Sequence, residues 1–196
     1  EDTNTIITNQ KTDTASSHTV TIEAGNDKVE VTLKDVNIDT SSRNNAAVSV
    51  TGSGNTTIKL DGDNALKSDT YRSGIASTGS LTISGGENDS LTAQGGSGTD
   101  GSGGRGIFSK DLTISGGTVN ANGGDGKNGS DGGDGISSDS LTISGGTVTT
   151  KGGSGDDGGS GVLIYSNGSL TVSGGTVTAN GGNSGGIFNG GRGISS

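Results

Sequence analysis

One phrase recurs at a near-constant interval, and that recurrence limits what the chain can become. LTISGGTVNANGG begins at Leu112, LTISGGTVTTKGG at Leu141 and LTVSGGTVTANGG at Leu170. A looser copy, LTISGGENDSLTAQGG, starts at Leu81. The anchoring leucines stand 31, 29 and 29 residues apart. A period of this length marks a repeat architecture, in which each unit buries its apolar residues against neighbours of its own kind.

Each copy holds three short alternating pieces. The first begins with Gly-Ile or Gly-Val: GIAS at Gly74, GIFS at Gly106, GISS at Gly135 and GVLIYS at Gly161. The second is LTIS or LTVS. The third is SLTA at Ser90, then TVNA, TVTT and TVTA at Thr118, Thr147 and Thr176. A two-residue period puts Leu112 and Ile114 on one side of a strand and Thr113 and Ser115 on the other. The Ser-Gly-Gly between pieces two and three is turn chemistry. Three strands and three turns in about 29 residues make one coil of an all-β, parallel β-helix, with coils stacked at the strand spacing of about 4.8 Å. Leu81, Leu112, Leu141 and Leu170 then form one inward column, and Ile83, Ile114, Ile143 and Val172 the next. The crossover preference of parallel strands makes the helix right-handed. A helical alternative fails, because Gly and β-branched residues dominate and no 3.6-residue period is present.

Composition alone points elsewhere. Only 24% of the 196 residues are hydrophobic, 42 are Gly, and the formal charge is -9, a profile suggestive of disorder. The repeat outweighs it, since an array buries one small apolar residue per strand many times over. No apolar run approaches the ~20 residues of a membrane span. The absence of Cys rules out disulfides and thiolate metal sites. The acidic balance disfavours nucleic acid, which needs a basic patch that the 12 Lys and Arg do not form. With no Met at its start, the chain reads as a processed product or an excised piece.

The whole chain reads as one domain. Residues 1–17 form an N-terminal strand or arm, and residues 18–70, with HTVTIEA, VEVTLKDVNID, AAVSV and NTTIKLDGD, form less regular coils. Residues 71–196 form the regular Gly-rich coils. TNTIITN from Thr3 and the bare GRGISS from Gly191 suggest open ends, and with them a competing role as a subunit stacking end to end into a filament.

Catalytic chemistry has few candidates. Glycoside hydrolysis needs two carboxyl groups facing across a groove, yet acidic residues within strand pieces are isolated, as at Glu30 and Asp35. His18 is the sole His and reads as an exposed strand residue. Arg72, Arg105 and Arg192 read as surface charge ahead of the Gly-Ile strands. The expectation is no catalytic residue and no enzyme. Tyr71 and Tyr165 could stack on sugar rings or simply anchor loops. The Thr columns at Thr113, Thr142, Thr171 and at Thr118, Thr147, Thr176 resemble ice-binding ladders, but Thr is also the ordinary exposed residue of strands.

The acidic residues gather in three inserts: GGSGTDGSGGRG from Gly95, GGDGKNGSDGGDG from Gly123 and GGSGDDGGSG from Gly152. The first and third contain the GGxGxD core of a calcium-binding nonapeptide, and the second has Asn128 where the others have Asp. Asp supplies hard oxygen ligands and Gly turns carbonyls inward. Asp100, Asp125, Asn128, Asp131, Asp134, Asp156 and Asp157 are therefore the candidate Ca²⁺ ligands. The alternative is flexible, solvated Gly-Asp loops.

LTISGGTVT, DGISS and VEVTLKDVNID together resemble a family of secreted bacterial β-helix proteins described as carbohydrate-binding domain proteins. The matching residues are 31–38, 135–138 and 112–119 with its two later copies, and the likeness spans about residues 18–196. It implies an extracellular or cell-surface, calcium-associated, non-catalytic binder of an acidic or cell-wall polysaccharide. The longer Gly-Asp inserts depart from the family pattern, and no sugar-contacting residue carries over.

Overall fold

A computed structural model describes residues 5–9, 13–186 and 189–196. Residues 1–4 and 10–12 of the expected N-terminal arm, and Ile187 and Phe188 near the expected last strand, lie outside the described residues. The chain winds as a right-handed parallel β-solenoid of about 7 turns, with about 28 residues per coil.

Three ladders of parallel strands run along the axis. The first contains β1 (Thr5–Thr8), β3 (Lys28–Lys34), β6 (Asn55–Asp61) and β9 (Ser80–Ser84), then the second halves of β11 (Ile107–Ile114), β13 (Ile136–Ile143) and β15 (Val162–Val172). The next contains β2 (Val20–Gly25), β5 (Val48–Gly52) and β8 (Ile75–Ser77), the first halves of those same three strands, and β17 (Ile194–Ser195). The last contains β4 (Asn37–Asp39), β7 (Asp63–Thr70), β10 (Ser90–Gly96), β12 (Thr118–Asn122), β14 (Thr147–Lys151) and β16 (Thr176–Asn180). The expected three strands per coil hold in the early coils. In the later ones the Gly-Ile and Leu-Thr pieces fuse into one bent strand.

The register follows the repeat. Leu81, Leu112, Leu141 and Leu170 are neighbours across β9, β11, β13 and β15, as are Ile83, Ile114, Ile143 and Val172. Each of these is buried except in the last coil, where Leu170 is partly covered and Val172 is 51% exposed. The sheet opposite supplies Leu91, Val119, Val148 and Val177. Full burial of one such side chain stabilises by about 1.5–3 kcal/mol, so stability accumulates coil by coil.

Two small residues shape the corners. Gly117, Gly146 and Gly175, the second Gly of the last three SGG turns, have φ of 80°, 82° and 82°, a region that side-chain-bearing residues rarely adopt. At the bend between the fused pieces, buried serines hold carbonyls that a strand partner cannot reach. Ser109 Oγ donates to Asp111 O (2.9 Å), and Ser138 Oγ donates to Ser140 O (2.6 Å) and Lys110 O (3.0 Å).

The Gly-Asp inserts correct the expectation of solvated loops. Each insert runs out and returns, and the limbs of successive coils interleave. Gly104 N–H donates to Gly96 O (2.7 Å), Gly124 N–H to Gly104 O (2.8 Å), Gly133 N–H to Gly124 O (2.9 Å) and Gly153 N–H to Gly133 O (2.8 Å). The zigzag continues through Gly159 and Gly182 to Gly191. Neighbouring residues bond in a second direction, each limb to its own copy in the next coil: Gly98 N–H to Asp125 O (2.7 Å), Gly126 N–H to Ser154 O (2.8 Å) and Gly132 N–H to Asp157 O (2.9 Å). A Cβ on Gly124, Gly133 or Gly153 would overlap a carbonyl of the adjoining limb. Flanking polar residues recur every third position, as Asn122 and Asp125 or Asp131 and Asp134 do. That is the spacing of an extended threefold chain with no internal hydrogen bonds. In the later coils the inserts form a glycine wall that closes the remaining side of the apolar core, and they are packed, not loose.

Candidate functional site

The glycine wall decides what its acidic residues do. Asp125 Oδ1 accepts from Ser154 N–H (2.7 Å), Asp131 Oδ1 from Asp157 N–H (3.2 Å), Asp134 Oδ1 from Ser160 N–H (2.8 Å), and Asp157 Oδ1 from Asn189 N–H (2.9 Å). Each carboxylate thus reaches one coil along the axis and satisfies a backbone donor there, a charge-assisted bond stronger than a neutral one. Asn128 Nδ2 donates to Asp100 Oδ1 (2.7 Å) and to Thr99 O (2.9 Å). Asp156 lies half-buried at the insert tip. All seven predicted ligands therefore sit on one edge of the solenoid, as expected. Asp125, Asn128 and Asp156 line one hollow on that edge, and among the described residues no three His, Cys, Asp or Glu side chains form a metal-holding group.

Beside the returning limbs the wall leaves a shallow hollow. Tyr71, Ser102 and Arg105 line it with Asp131 and Asp134, over a floor that includes Gly132 and Gly133. The floor is bare because the hydrogen-bonded wall excludes side chains there, which lets a ligand meet backbone directly.

Tyr71 stands at one end, 46% exposed, with φ of 63°. A bulky residue in the left-handed region costs roughly 1–3 kcal/mol and persists only where its surroundings demand it. Here Arg72 N–H closes a turn onto Asp69 O (2.9 Å), and Asp100 N–H donates to the Tyr71 hydroxyl (3.0 Å). The ring lies so close to Gly101 that a Cβ there would come within 2.8 Å of it. Hydrogen bonding from the Thr99 side chain, then from Asp100 N–H, holds the phenol below its ordinary pKa. Tyr71 therefore anchors the next coil's insert while leaving much of its surface open to the hollow.

Arg105 forms the facing wall. Its guanidinium lies 5.4 Å from the centroid of the Phe108 ring, a cation–π distance. Arg105 Nε donates to Ser137 Oγ (2.9 Å) and stands 3.8 Å from Asp134 Oδ2, to which Ser137 Oγ donates (2.8 Å). An aromatic ring, a fixed guanidinium and two carboxylates around a polar hollow can stack on a sugar face and hydrogen-bond its hydroxyls. The sequence offered Tyr71 as a sugar-stacking candidate and read Arg105 as plain surface charge. The signal that could have joined them is register: Arg105 and Asp134 occupy the same place before Gly106 and Gly135 in successive coils.

A family profile described as beta helix repeat matches residues 112–137, 141–161 and 170–187. By architecture the chain is a β-helix repeat protein. The matched stretches are the later coils together with most of their glycine inserts. The chain matches no curated protein and no solved structure among those compared with it.

The other predicted residues fall outside the hollow. His18 is exposed in a non-strand segment, its Nδ1 3.3 Å from Ser16 Oγ. Arg72 Nε donates to Asn44 Oδ1 (3.1 Å), and Arg192 is exposed beside β17. Tyr165 is half-buried in β15. Thr113, Thr142 and Thr171 align outward in one column, joined earlier by Thr82 and Thr57, while Thr118, Thr147 and Thr176 align on the other sheet.

Proposed function

We propose that this chain is an extracellular, non-catalytic polysaccharide-binding β-helix, with the Tyr71–Arg105–Asp131–Asp134 hollow as its sugar site. The observation that supports this reading most is Tyr71 itself, a strained aromatic residue with an open face, placed beside fixed polar groups and bare glycine backbone. Sugar rings present apolar faces to aromatic rings and hydroxyls to such polar partners. The Thr, Ser and Asn columns on the outer faces keep the rest of the solenoid hydrophilic, suited to a cell surface or matrix. The carboxylates of the hollow are engaged by backbone N–H groups and Arg105, roles in binding and architecture rather than acid–base catalysis.

The test is retention on a panel of plant, microbial and host glycans, run with added Ca²⁺ and with chelator. Binding to at least one glycan, with no reducing ends or unsaturated uronides released, is expected. Tyr71→Ala should weaken that binding at least tenfold while circular dichroism stays β-rich. No retention on any glycan in either condition, or retention unaffected by Tyr71→Ala, removes the proposal. Sedimentation of the same samples reports whether the chain instead stacks end to end.

A further inference from the structure

We infer that the hollow selects glycans bearing free ammonium groups, such as chains of glucosamine, over uncharged N-acetylated chains and over uronates. The inference rests on the Tyr71 hollow being the sugar site, and adds the sign of the charge it reads. Arg105, the one cation among the described residues lining the hollow, is engaged internally: it lies against Phe108, bonds Ser137 and faces Asp134. Asp134 in turn accepts from Ser137 and Ser160, so this pair contributes little net charge. Asp131 remains. It is exposed, Oδ1 takes only the long bond from Asp157 N–H (3.2 Å), and it joins none of the salt bridges among the described residues. Asp157 follows it one coil along the same edge. A sugar stacked on Tyr71 therefore brings its substituents toward an uncompensated carboxylate with a second behind it. An ammonium there gains about one ion pair at partial exposure, and a carboxylate meets like charge.

The experiment compares three pentasaccharides by calorimetry at low and at physiological salt: fully deacetylated glucosamine, its N-acetylated counterpart, and galacturonate. The variants are Asp131→Asn, which keeps an oxygen for Asp157 N–H, and Asp27→Asn, which removes the same charge from an exposed turn far along the chain. The ammonium pentamer should bind roughly fivefold or more tighter than the N-acetylated one, with galacturonate weakest. Asp131→Asn should erase that preference and Asp27→Asn should leave it. Equal binding of the charged and N-acetylated pentamers, lost in Tyr71→Ala, overturns the charge inference while the sugar site stands. Equal losses from both Asn variants overturn it as well, by tracing the preference to net charge. Failure of all three pentamers to bind, in a protein that also fails the wider glycan panel, overturns both readings.

Discussion

Replacing Gly133 by Ala separates a packed glycine wall from a flexible loop by the sign of the effect. Gly133 N–H donates to Gly124 O (2.9 Å), and its own carbonyl accepts from Gly153 N–H (2.8 Å). A methyl group there would lie 2.6 Å from Gly103 O and closer still to Gly104 O. Ordinary carbon contacts begin near 3.5 Å, so the limbs must part by about 1 Å. Two hydrogen bonds worth about 0.5–1.5 kcal/mol each are weakened, and the overpacking adds about 1–3 kcal/mol. The expected loss is about 2–6 kcal/mol. In a loose loop the same change would stabilise by about 0.4–1 kcal/mol, through the entropy of the unfolded chain. Gly185→Ala is the matched control, since its nearest neighbour, Gly155 O, stands 3.6 Å from the added Cβ; its effect should stay within about 0.5 kcal/mol. Urea unfolding gives the midpoints. Amide exchange at Gly133, Gly153 and Gly159 reports the wall directly, which matters because a solenoid can open one section at a time. A Gly133→Ala protein as stable as the parent, with those amides still protected, would refute the packed wall.

Leu141→Asp, at a fully buried position between Leu112 and Leu170, should cost more than about 4 kcal/mol by burying an unpaired charge, read as loss of the β signal in circular dichroism. Thr150→Val should stabilise by about 1 kcal/mol, because Thr150 Oγ1 is buried with no hydrogen-bond partner and Val keeps the shape; a lower urea midpoint would contradict this. Acid should loosen the SGG turn of the first regular copy. Gly62 N–H and then Gly86 N–H hold the Asp89 carboxyl below its ordinary pKa. For Asp39, burial pushes upward, but bonds from Ser41 and Lys67 outweigh it and the net direction is again down. A depressed folded pKa means the unfolded chain takes up protons first. The stabilisation is therefore complete above about pH 5 and fades as pH falls below about 4. Asp89→Asn should flatten the acid limb of a stability-against-pH curve.

The coils were legible because a two-residue period writes burial directly into the sequence. Leu112, Thr113 and Ile114 declare their sides without any knowledge of neighbours, and the 29-residue interval then aligns them with Leu141, Thr142 and Ile143. The fusion of strands at Ser109 and Ser138 was not legible, since a serine that turns a corner reads the same as one facing solvent. The glycine wall was harder. Its bonds join residues such as Gly104 and Gly124 whose pairing depends on how far each insert protrudes, and glycine leaves no apolar pattern to read. The three-residue step from Asp131 to Asp134 was the available signal. Of the hollow, sequence reading supplied Tyr71, Asp131 and Asp134 separately. It could not assemble them, because the hollow is formed by three different coils.

The same wall makes a poorly apolar chain foldable and gives the hollow its form. In each later coil three strand pieces, two of them fused into one bent strand, carry the inward Leu, Ile and Val residues that bury enough surface to order them. The remaining side must return the chain without adding core. Every buried backbone N–H and C=O on that side still needs a partner. Glycine meets both demands: limbs without side chains approach closely enough for each to bond its own copy and its neighbour's. Ordering glycine costs more backbone entropy than ordering any other residue, so only a dense two-way network holds such limbs in place. Where that network borders the surface beside Tyr71, it leaves a strip of exposed main chain flanked by Ser102, Asp131, Arg105 and Asp134. The sugar-sized hollow is thus a by-product of closing the solenoid with glycine. A substitution that parts the limbs at Gly133 should therefore weaken glycan binding together with amide protection, while Tyr71→Ala should weaken binding with the seam amides still protected.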